Sequence, residues 1–135
     1  MKYKLAIAGL ILLLILIPQQ ASAPIGSQWW NSSWHYKVQL QVNTSVYSRT
    51  NWPIEWEINF TSLLHGIGRS GTFDINSTRI IEHNSTGHSR HEMASQFEVS
   101  NGFNPSTNAV GTIVFLLNGT TENRTVRNFS VYFDT

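Results

Sequence analysis

The feature that most constrains the fold is a run of strict alternation over residues 34–42. Apolar residues alternate with polar ones along this run. The apolar residues are Trp34, Tyr36, Val38, Leu40 and Val42, and the polar residues are His35, Lys37, Gln39 and Gln41. A period of two residues is that of a β-strand with one face buried and the other face in water. Because the apolar face has to be covered, the run predicts a sheet that packs against a second layer.

A second alternating segment begins at Pro53, a residue that is tolerated at strand starts and on edge strands. The pattern predicts an inward face of Ile54, Trp56, Ile58 and Phe60. The outward face is then made of Glu55, Glu57 and Asn59. We predict that Trp56 is the most deeply buried side chain of the domain.

Residues 110–117 are apolar at nearly every position, which is typical of a central strand covered on both faces. Further strands are predicted over residues 78–83, 94–99 and 124–134, and residues 61–71 are predicted to form a short helical turn followed by a glycine-broken loop. In the strand over 94–99, one face is made of Ser95, Phe97 and Val99. In the strand over 124–134, Phe129, Val131 and Phe133 make one face, and Asn128 and Ser130 lie on the other. About six short strands with little helix predict an all-β fold, an antiparallel β-sandwich of the jelly-roll or immunoglobulin-like type.

The start of the chain has the composition of a secretory signal. Lys2 and Lys4 precede an apolar run of 13 residues over 5–17, and small residues follow at 21–23. A helix of that length spans about 20 Å, which is less than the ~30 Å hydrocarbon core of a bilayer. The pattern therefore favours an export signal over a stable membrane span.

Two domain boundaries follow from this interpretation. We predict a signal peptide at residues 1–23 and a β-sandwich domain at residues 24–135. Pro24 at the first mature position hinders cleavage, so the alternative is an uncleaved N-terminal anchor helix. Either way, the predicted location is secreted or at the cell surface.

Composition excludes several classes of function. The chain has no cysteine, so disulfide exchange and thiolate catalysis are excluded, and the exported domain has to be held together by packing alone. Without Lys2 and Lys4, seven basic residues face eight acidic ones, a net charge of −1. A chain this close to neutral lacks the basic surface of a nucleic-acid-binding protein.

Sequons for N-glycosylation are over-represented. Eight of the twelve asparagines begin an Asn-x-Ser/Thr sequence, whereas random placement among the Ser and Thr residues of 24–135 produces about three. All eight fall in predicted turns or on polar strand faces, where a glycan can be accommodated. We therefore predict glycosylation at Asn31, Asn43, Asn59, Asn76, Asn84, Asn118, Asn123 and Asn128.

Five segments carry a resemblance to a known module: residues 30–38 with a W-x-Y-[KR]-V opening, 58–64, 74–81, 95–97, and 131–134 with a V-Y-F-D close. Together they resemble a β-sandwich module near the N-terminus of large secreted archaeal and bacterial proteins, including cell-surface proteins and some polysaccharide-acting enzymes. The resemblance covers most of the mature chain and implies an architecture, with no catalytic residues to transfer. It also implies that this domain is either the first of a longer protein or a stand-alone copy.

Three histidines and a carboxylate lie within ten residues: His83, His88, His91 and Glu92. Such side chains are zinc ligands in other proteins. Their order matches neither the H-E-x-x-H nor the H-x-x-E-H signature, and both signatures depend on helical spacing. We therefore interpret the segment as the solvated turn of a hairpin and predict no metal site.

Two other groups of residues are candidates for chemistry. Trp29, Trp30 and Trp52 lie outside the clearest strand cores and are a candidate ligand platform for sugar rings. The alternative is that they fix the N-terminal lead-in and a strand edge to the body. Glu55 and Glu57 share one strand face at about 6.6–6.8 Å, close to some glycosidase separations, but paired charges on a solvated face are ordinary.

These observations predict an extracellular, glycosylated β-sandwich module with a structural or interaction role in a cell-surface or secreted protein. We predict no enzymatic activity and no cofactor. The expected partners are neighbouring domains or cell-surface proteins, with carbohydrate as a further candidate and membrane contact only through the N-terminal segment. Two alternatives stay open: an accessory carbohydrate-binding domain of a polysaccharide-acting enzyme, and a membrane-anchored or pilin-like surface subunit.

Overall fold

Seven strands and one short helix make up the part of the chain that the structure, a computed structural model, describes, which is residues 29–135. The strands form a four-stranded antiparallel sheet in the order β1-β7-β3-β4 and a three-stranded one in the order β2-β6-β5. The predicted antiparallel β-sandwich is confirmed. The elements are β1 Tyr36–Asn43, β2 Arg49–Asn59, α1 Phe60–Gly66, β3 Arg79–His83, β4 Ser89–Met93, β5 Ser95–Val99, β6 Val110–Thr121 and β7 Val126–Phe133.

The predicted signal or anchor at residues 1–23 lies outside the described residues. Within residues 29–135, no helix has the length and apolar character that a membrane span needs.

The alternating run forms β1, which pairs with β7 over its whole length, from Tyr36 opposite Phe133 to Asn43 opposite Val126. Its apolar side chains from Tyr36 onward pack against the core. The strand begins two residues later than the pattern predicts. Trp34 instead belongs to the lead-in, where its backbone N–H donates to Asn31 O and its indole Nε1 donates to Ser77 O at 2.6 Å.

Strand β2 begins at Arg49, four residues before the predicted start at Pro53. It is an edge strand, where the missing N–H of a proline is tolerated. The pairing with β6 shifts between Thr50 and Trp52, and Asn51 between them has a positive φ of 47°. The Oδ1 atom of Asn51 accepts a bond from the backbone N–H of Gly119 across the sheet, which holds this bulge in place.

Strand β6 is the central strand of its sheet, as predicted, but only one of its faces is covered. Gly111, Ile113 and Phe115 are buried, whereas Val114 is half-buried and Leu116 is exposed. The prediction of burial on both faces is wrong because, among the described residues, the outer face of this three-stranded sheet stays open to water. The apolar outer positions therefore remain at the surface.

The centre of the core is aromatic and lies under α1. Phe60, at the start of the helix, is fully buried and stacks on Phe73 with ring centroids 4.1 Å apart. The rings of Phe97 and Phe133 also contact it. The predicted helical turn is confirmed, and its N-cap is Asn59, whose Oδ1 accepts from Ser62 N–H at 3.0 Å.

The prediction that Trp56 is the most deeply buried side chain is wrong. Trp56 is only half-buried, and the largest fully buried side chains include Phe60, Phe129 and Tyr132. The physical reason is the position of β2 at the edge of its sheet, which leaves one flank of the indole without a neighbouring strand. Phe60 fills the space between the two sheets instead.

Strands β5 and β7 differ in how well the alternation of the sequence predicts which side chains are buried. In the edge strand β5, Phe97 packs against the core while Ser95 and Val99 are exposed, so the predicted inward face is confirmed at one position only. In the central strand β7, the side chains predicted on one face are all buried: Phe129, Val131 and Phe133. A strand with neighbours on both sides shields its core face better than an edge strand does.

The sandwich has two distinct ends. The tip carries the turns over residues 44–48, 84–88 and 122–125, and the hydroxyl of Thr44 joins two of them by donating to Glu122 O. The base carries α1 together with the lead-in over residues 29–35 and the end of β7. At the base, His35 Nδ1 lies 2.8 Å from Asp134 Oδ2.

Candidate functional site

None of the eight sequon asparagines is buried: four are exposed and four are half-buried. Three are at the base: Asn31, Asn59 and Asn76. Five are at or near the tip: Asn43, Asn84, Asn118, Asn123 and Asn128. The expectation that they occupy turns or polar strand faces is confirmed, and the tip is where they concentrate.

Local hydrogen bonds orient several of these asparagines in the same way. The Oδ1 atoms of Asn31, Asn43 and Asn84 accept from the backbone N–H two residues on, at 2.9, 2.8 and 3.0 Å, which is the geometry of an Asx turn. The donor in each case is the Ser or Thr of the same sequon. The turn uses the amide oxygen and makes no demand on Nδ2, the atom that carries the sugar in an N-glycan.

The structure separates the three tryptophans of the predicted ligand platform. Trp29 and Trp30 are at the base, where their rings contact Tyr132 at centroid distances of 5.4 and 5.8 Å. The Tyr132 hydroxyl accepts from the backbone N–H of Trp30 at 2.9 Å. Burial beneath these rings raises the pKa of Tyr132 above its ordinary value. The two tryptophans therefore fix the lead-in to the four-stranded sheet.

Trp52 lies at the tip, with 46% of its surface exposed. The guanidinium of Arg49 is 4.5 Å from the centroid of its ring and 5.3 Å from that of Tyr47, which is also exposed. We name these three residues the Tyr47–Arg49–Trp52 cluster. Sequence reasoning missed Tyr47 and Arg49, since an aromatic residue in a polar turn gives no signal of its partner.

The histidine-rich segment folds as the β3–β4 hairpin, as predicted. The prediction that the whole segment is a solvated turn is wrong, because His83 is buried at the end of β3 while His91 and Glu92 lie in β4. His83 is buried with its Nε2 2.7 Å from Ser130 Oγ, and His88 contacts Thr86 in the turn. Glu92 pairs with Arg79 Nε at 3.3 Å. Within residues 29–135, no group of three or more His, Cys, Asp or Glu side chains is placed to hold a metal ion.

Burial, together with the positive charge of Lys37, lowers the pKa of His83 below its ordinary value. The imidazole therefore contributes to the fold in its neutral form. A histidine whose folded pKa is lowered stabilises the protein fully only above its unfolded pKa, and this contribution is lost as the pH falls. Its contact with the Ser130 hydroxyl is a structural contact within the four-stranded sheet.

A buried ion pair at the tip joins the two sheets. The side chain of Glu82 is only 3% exposed, and its Oε1 accepts from Arg127 Nε at 2.8 Å. The same guanidinium donates to Asn118 O and Thr121 Oγ1 on β6, both at 3.1 Å. His91 Nε2 lies 3.3 Å from Glu82 Oε2.

These residues line a polar cavity of about 440 Å³ that we name the tip pocket. Glu122 is also part of its wall, and the hydroxyl of Ser48 donates to Glu122 Oε2 at 3.1 Å. The tip pocket therefore adjoins the Tyr47–Arg49–Trp52 cluster through Ser48. Sequence reasoning did not find the pocket, because the pairing of Glu82 with Phe129 on β7 is what turns its carboxylate toward the space between the sheets.

The predicted carboxylate pair lies on the outer face of the three-stranded sheet. Glu55 and Glu57 are exposed there, and Glu98 of β5 lies across Thr112 from Glu57 in the register. An open sheet face does not enclose a substrate between two carboxylates, as a cleft does. The ordinary interpretation of neighbouring charges on a solvated face fits this arrangement.

Comparison of the chain with protein-family models, curated proteins and solved structures found no match. The resemblance to a module of secreted archaeal and bacterial proteins therefore stays a prediction. The functional inference rests on the geometry of the described residues: eight surface sequons, a polar tip pocket and one exposed aromatic cluster beside it.

Proposed function

We propose that this protein is an extracellular, N-glycosylated β-sandwich module with a structural or interaction role in a cell-surface or secreted protein. The observation that carries the proposal is the surface position of all eight sequon asparagines, five of them at or near the tip. Their number supports the proposal further, since random placement produces about three sequons and the chain has eight. A domain without cysteines also gains solubility from a coat of neutral sugars at its surface.

The two ends of the fold indicate how the proposed module would be oriented relative to its point of attachment. The lead-in reaches the sandwich at the base, where Trp30 N–H bonds to Tyr132 and His35 contacts Asp134. A signal-derived anchor before the lead-in would therefore attach at the base. The tip, with its sequons and its pocket, would face away from that attachment.

Glycopeptide mapping of the protein from its native cells tests this proposal. We expect N-glycans on sequon asparagines and a mature N-terminus near Pro24, or near Met1 if the anchor is retained. Enzymatic release of the glycans in heavy-oxygen water marks each occupied asparagine as a labelled aspartate. A native protein with no glycan on any sequon would overturn the proposal.

The chain offers a control for that measurement. Asn101 precedes Gly102 outside any sequon, and Asn-Gly sequences deamidate spontaneously. Deamidation before the release reaction gives an unlabelled aspartate, whereas glycan release gives a labelled one. Label at Asn101 therefore measures the background that an occupied sequon has to exceed.

A second candidate function, saccharide binding at the tip, is favoured by the position of the Tyr47–Arg49–Trp52 cluster next to the tip pocket, to which the Ser48–Glu122 hydrogen bond joins it. Exposed aromatic faces stack on the C–H faces of sugars, and a polar pocket supplies hydrogen-bonding groups. The charges of the pocket are largely paired with one another, as in Glu82 with Arg127, which favours a neutral saccharide. This function is compatible with the glycosylated module and adds a ligand to it.

Affinity electrophoresis through gels with neutral soluble polysaccharides tests this second candidate. We expect retardation of the wild-type protein and at least about a tenfold loss of affinity in Trp52→Ala, as for an aromatic residue at the centre of an interface. Trp29→Ala is the matched control, because that tryptophan lies at the base against Tyr132. Binding that survives Trp52→Ala unchanged would exclude the cluster from the site.

A further inference from the structure

We infer that folding closes three of the eight sequons to glycan transfer, so that Asn59, Asn76 and Asn128 accept a glycan only before the chain folds. The inference rests on the proposed glycosylation, and it states that glycan transfer to these three asparagines precedes folding. The observation behind it is the burial of the hydroxyl oxygen at the third residue of each of these sequons, namely Thr61, Thr78 and Ser130. This hydroxyl is what distinguishes an acceptor asparagine from any other. The other five sequons keep this residue at or near the surface.

The chemistry explains why the hydroxyl matters. Transfer forms a bond between Asn Nδ2 and the anomeric carbon of a sugar carried on a polyprenyl phosphate. The bond from that carbon to the phosphate oxygen breaks, the phosphate leaves with the electron pair, and Nδ2 gives up a proton. The transferase has to hold the Ser or Thr hydroxyl while this occurs, so a hydroxyl inside the fold blocks recognition even where the asparagine is exposed.

The Asn128 sequon is the most firmly closed of the three, because its third residue is Ser130. Ser130 is 0% exposed, it lies in the middle of β7 between β1 and β3, and its hydroxyl is 2.7 Å from the buried His83 Nε2. Asn128 itself is half-buried on the same strand. A transferase that binds the segment from Asn128 to Ser130 has to draw this central strand out of its pairing with β1 and β3, which is equivalent to unfolding the domain.

Thr61 is closed by the helix. It is 8% exposed, and its Oγ1 accepts from the backbone N–H of Ala109 at 2.9 Å. Phe60 and Leu64 hold the same helix in the core, so α1 cannot lift away without exposing them. Asn59, which forms the N-cap of this helix, therefore shares the closure.

Thr78 is closed less firmly. Its Oγ1 is buried, but the residue lies just before β3 and is half-buried as a whole. The neighbouring Ser77 holds this segment at the base, where it accepts from Trp34 Nε1 and from Asp134 N–H. Because Thr78 precedes β3 and is half-buried, whereas Thr61 and Ser130 are buried, Asn76 should open more readily than Asn59 or Asn128.

The test measures transfer to each asparagine of the full chain, purified folded and without glycans. The enzyme is a single-subunit oligosaccharyltransferase with a polyprenyl-linked oligosaccharide, and synthetic peptides of about eleven residues around each sequon serve as unfolded references. For Asn59 and Asn128 we expect transfer at least about a thousandfold slower in the folded protein than in its own peptide, because a stable domain opens globally this rarely. For Asn84, whose Thr86 is exposed, we expect rates within about tenfold of the peptide.

Two variants make the result specific. Phe133→Ala removes a ring that contacts Tyr36 and Phe60 in the core, so it should raise transfer to Asn128 and leave transfer to Asn84 unchanged. Val99→Ala changes an exposed side chain and should alter neither rate. Peptide-like transfer to Asn59 or Asn128 in the folded wild type would overturn the inference, and so would closure of Asn84.

This result is independent of whether the native protein is glycosylated. A native protein without any glycan overturns the proposed function, while the difference in acceptor rates still tests the closure. A native glycan on Asn128 together with slow transfer to the folded chain shows that transfer precedes folding in the cell.

Discussion

Replacing Glu82 with alanine should lower the free energy of unfolding by about 3–5 kcal/mol, as measured by urea denaturation. The substitution leaves the Arg127 guanidinium, which is mostly buried between the sheets, without its carboxylate partner. It also removes the partner of His91 in the tip pocket. Loss of one member of a buried ion pair is costly because the remaining charge stays mostly buried after it has lost its compensating charge; among the described residues, Arg127 then keeps only its hydrogen bonds to Asn118 O and Thr121 Oγ1.

Two controls separate this effect from an ordinary loss of charge. Glu92→Ala removes a carboxylate from the same hairpin whose pair with Arg79 is well exposed, and it should cost less than about 1 kcal/mol. The double variant Glu82→Leu with Arg127→Met removes both buried charges, and it should recover most of the stability lost in Glu82→Ala. A cost for Glu82→Ala no larger than that for Glu92→Ala would show that the buried pair does not stabilise the tip.

Phe60→Ala should also cost about 3–5 kcal/mol, because its ring is fully buried and stacks on Phe73. Trp56→Ala should cost about half as much, since the energy scales with the apolar area removed from water and this indole is half-buried. Thermal and urea unfolding of the two variants, with the exposed Val99→Ala as a control, compares them directly. A larger loss for Trp56→Ala than for Phe60→Ala would restore the ranking that the sequence predicts.

Local sequence patterns predicted correctly those properties that follow from the order of residues within one strand or one turn. Alternation predicted which face of β1 and β7 is apolar, because successive side chains of any strand point to opposite sides. The turn residues around Asn84 predicted the β3–β4 hairpin, and the polar composition around each sequon predicted that none of the eight asparagines is buried. These properties need no knowledge of which strands pair.

The candidate sites show where sequence reasoning reaches its limit. Three tryptophans of similar sequence context have different roles: Trp29 and Trp30 cover Tyr132 at the base, and Trp52 lies beside Arg49 at the tip. Similarly, the sequons look equivalent in sequence, yet Ser130 is fully buried with its hydroxyl against His83. What a side chain contacts depends on strand order, and strand order follows from pairings between residues far apart in the chain.

The sequence by itself determined that this protein is an all-β domain with an apolar face on its strands and sequons at its surface. Only the tertiary structure decided that Phe60 and not Trp56 fills the centre, that β6 keeps one face in water, and that Glu82 meets Arg127 between the sheets. The physical reason is that alternation specifies which side of a strand is apolar, whereas register and sheet order specify what that side faces. Both are fixed by contacts between β3, β6 and β7 that the order of residues along the chain does not display.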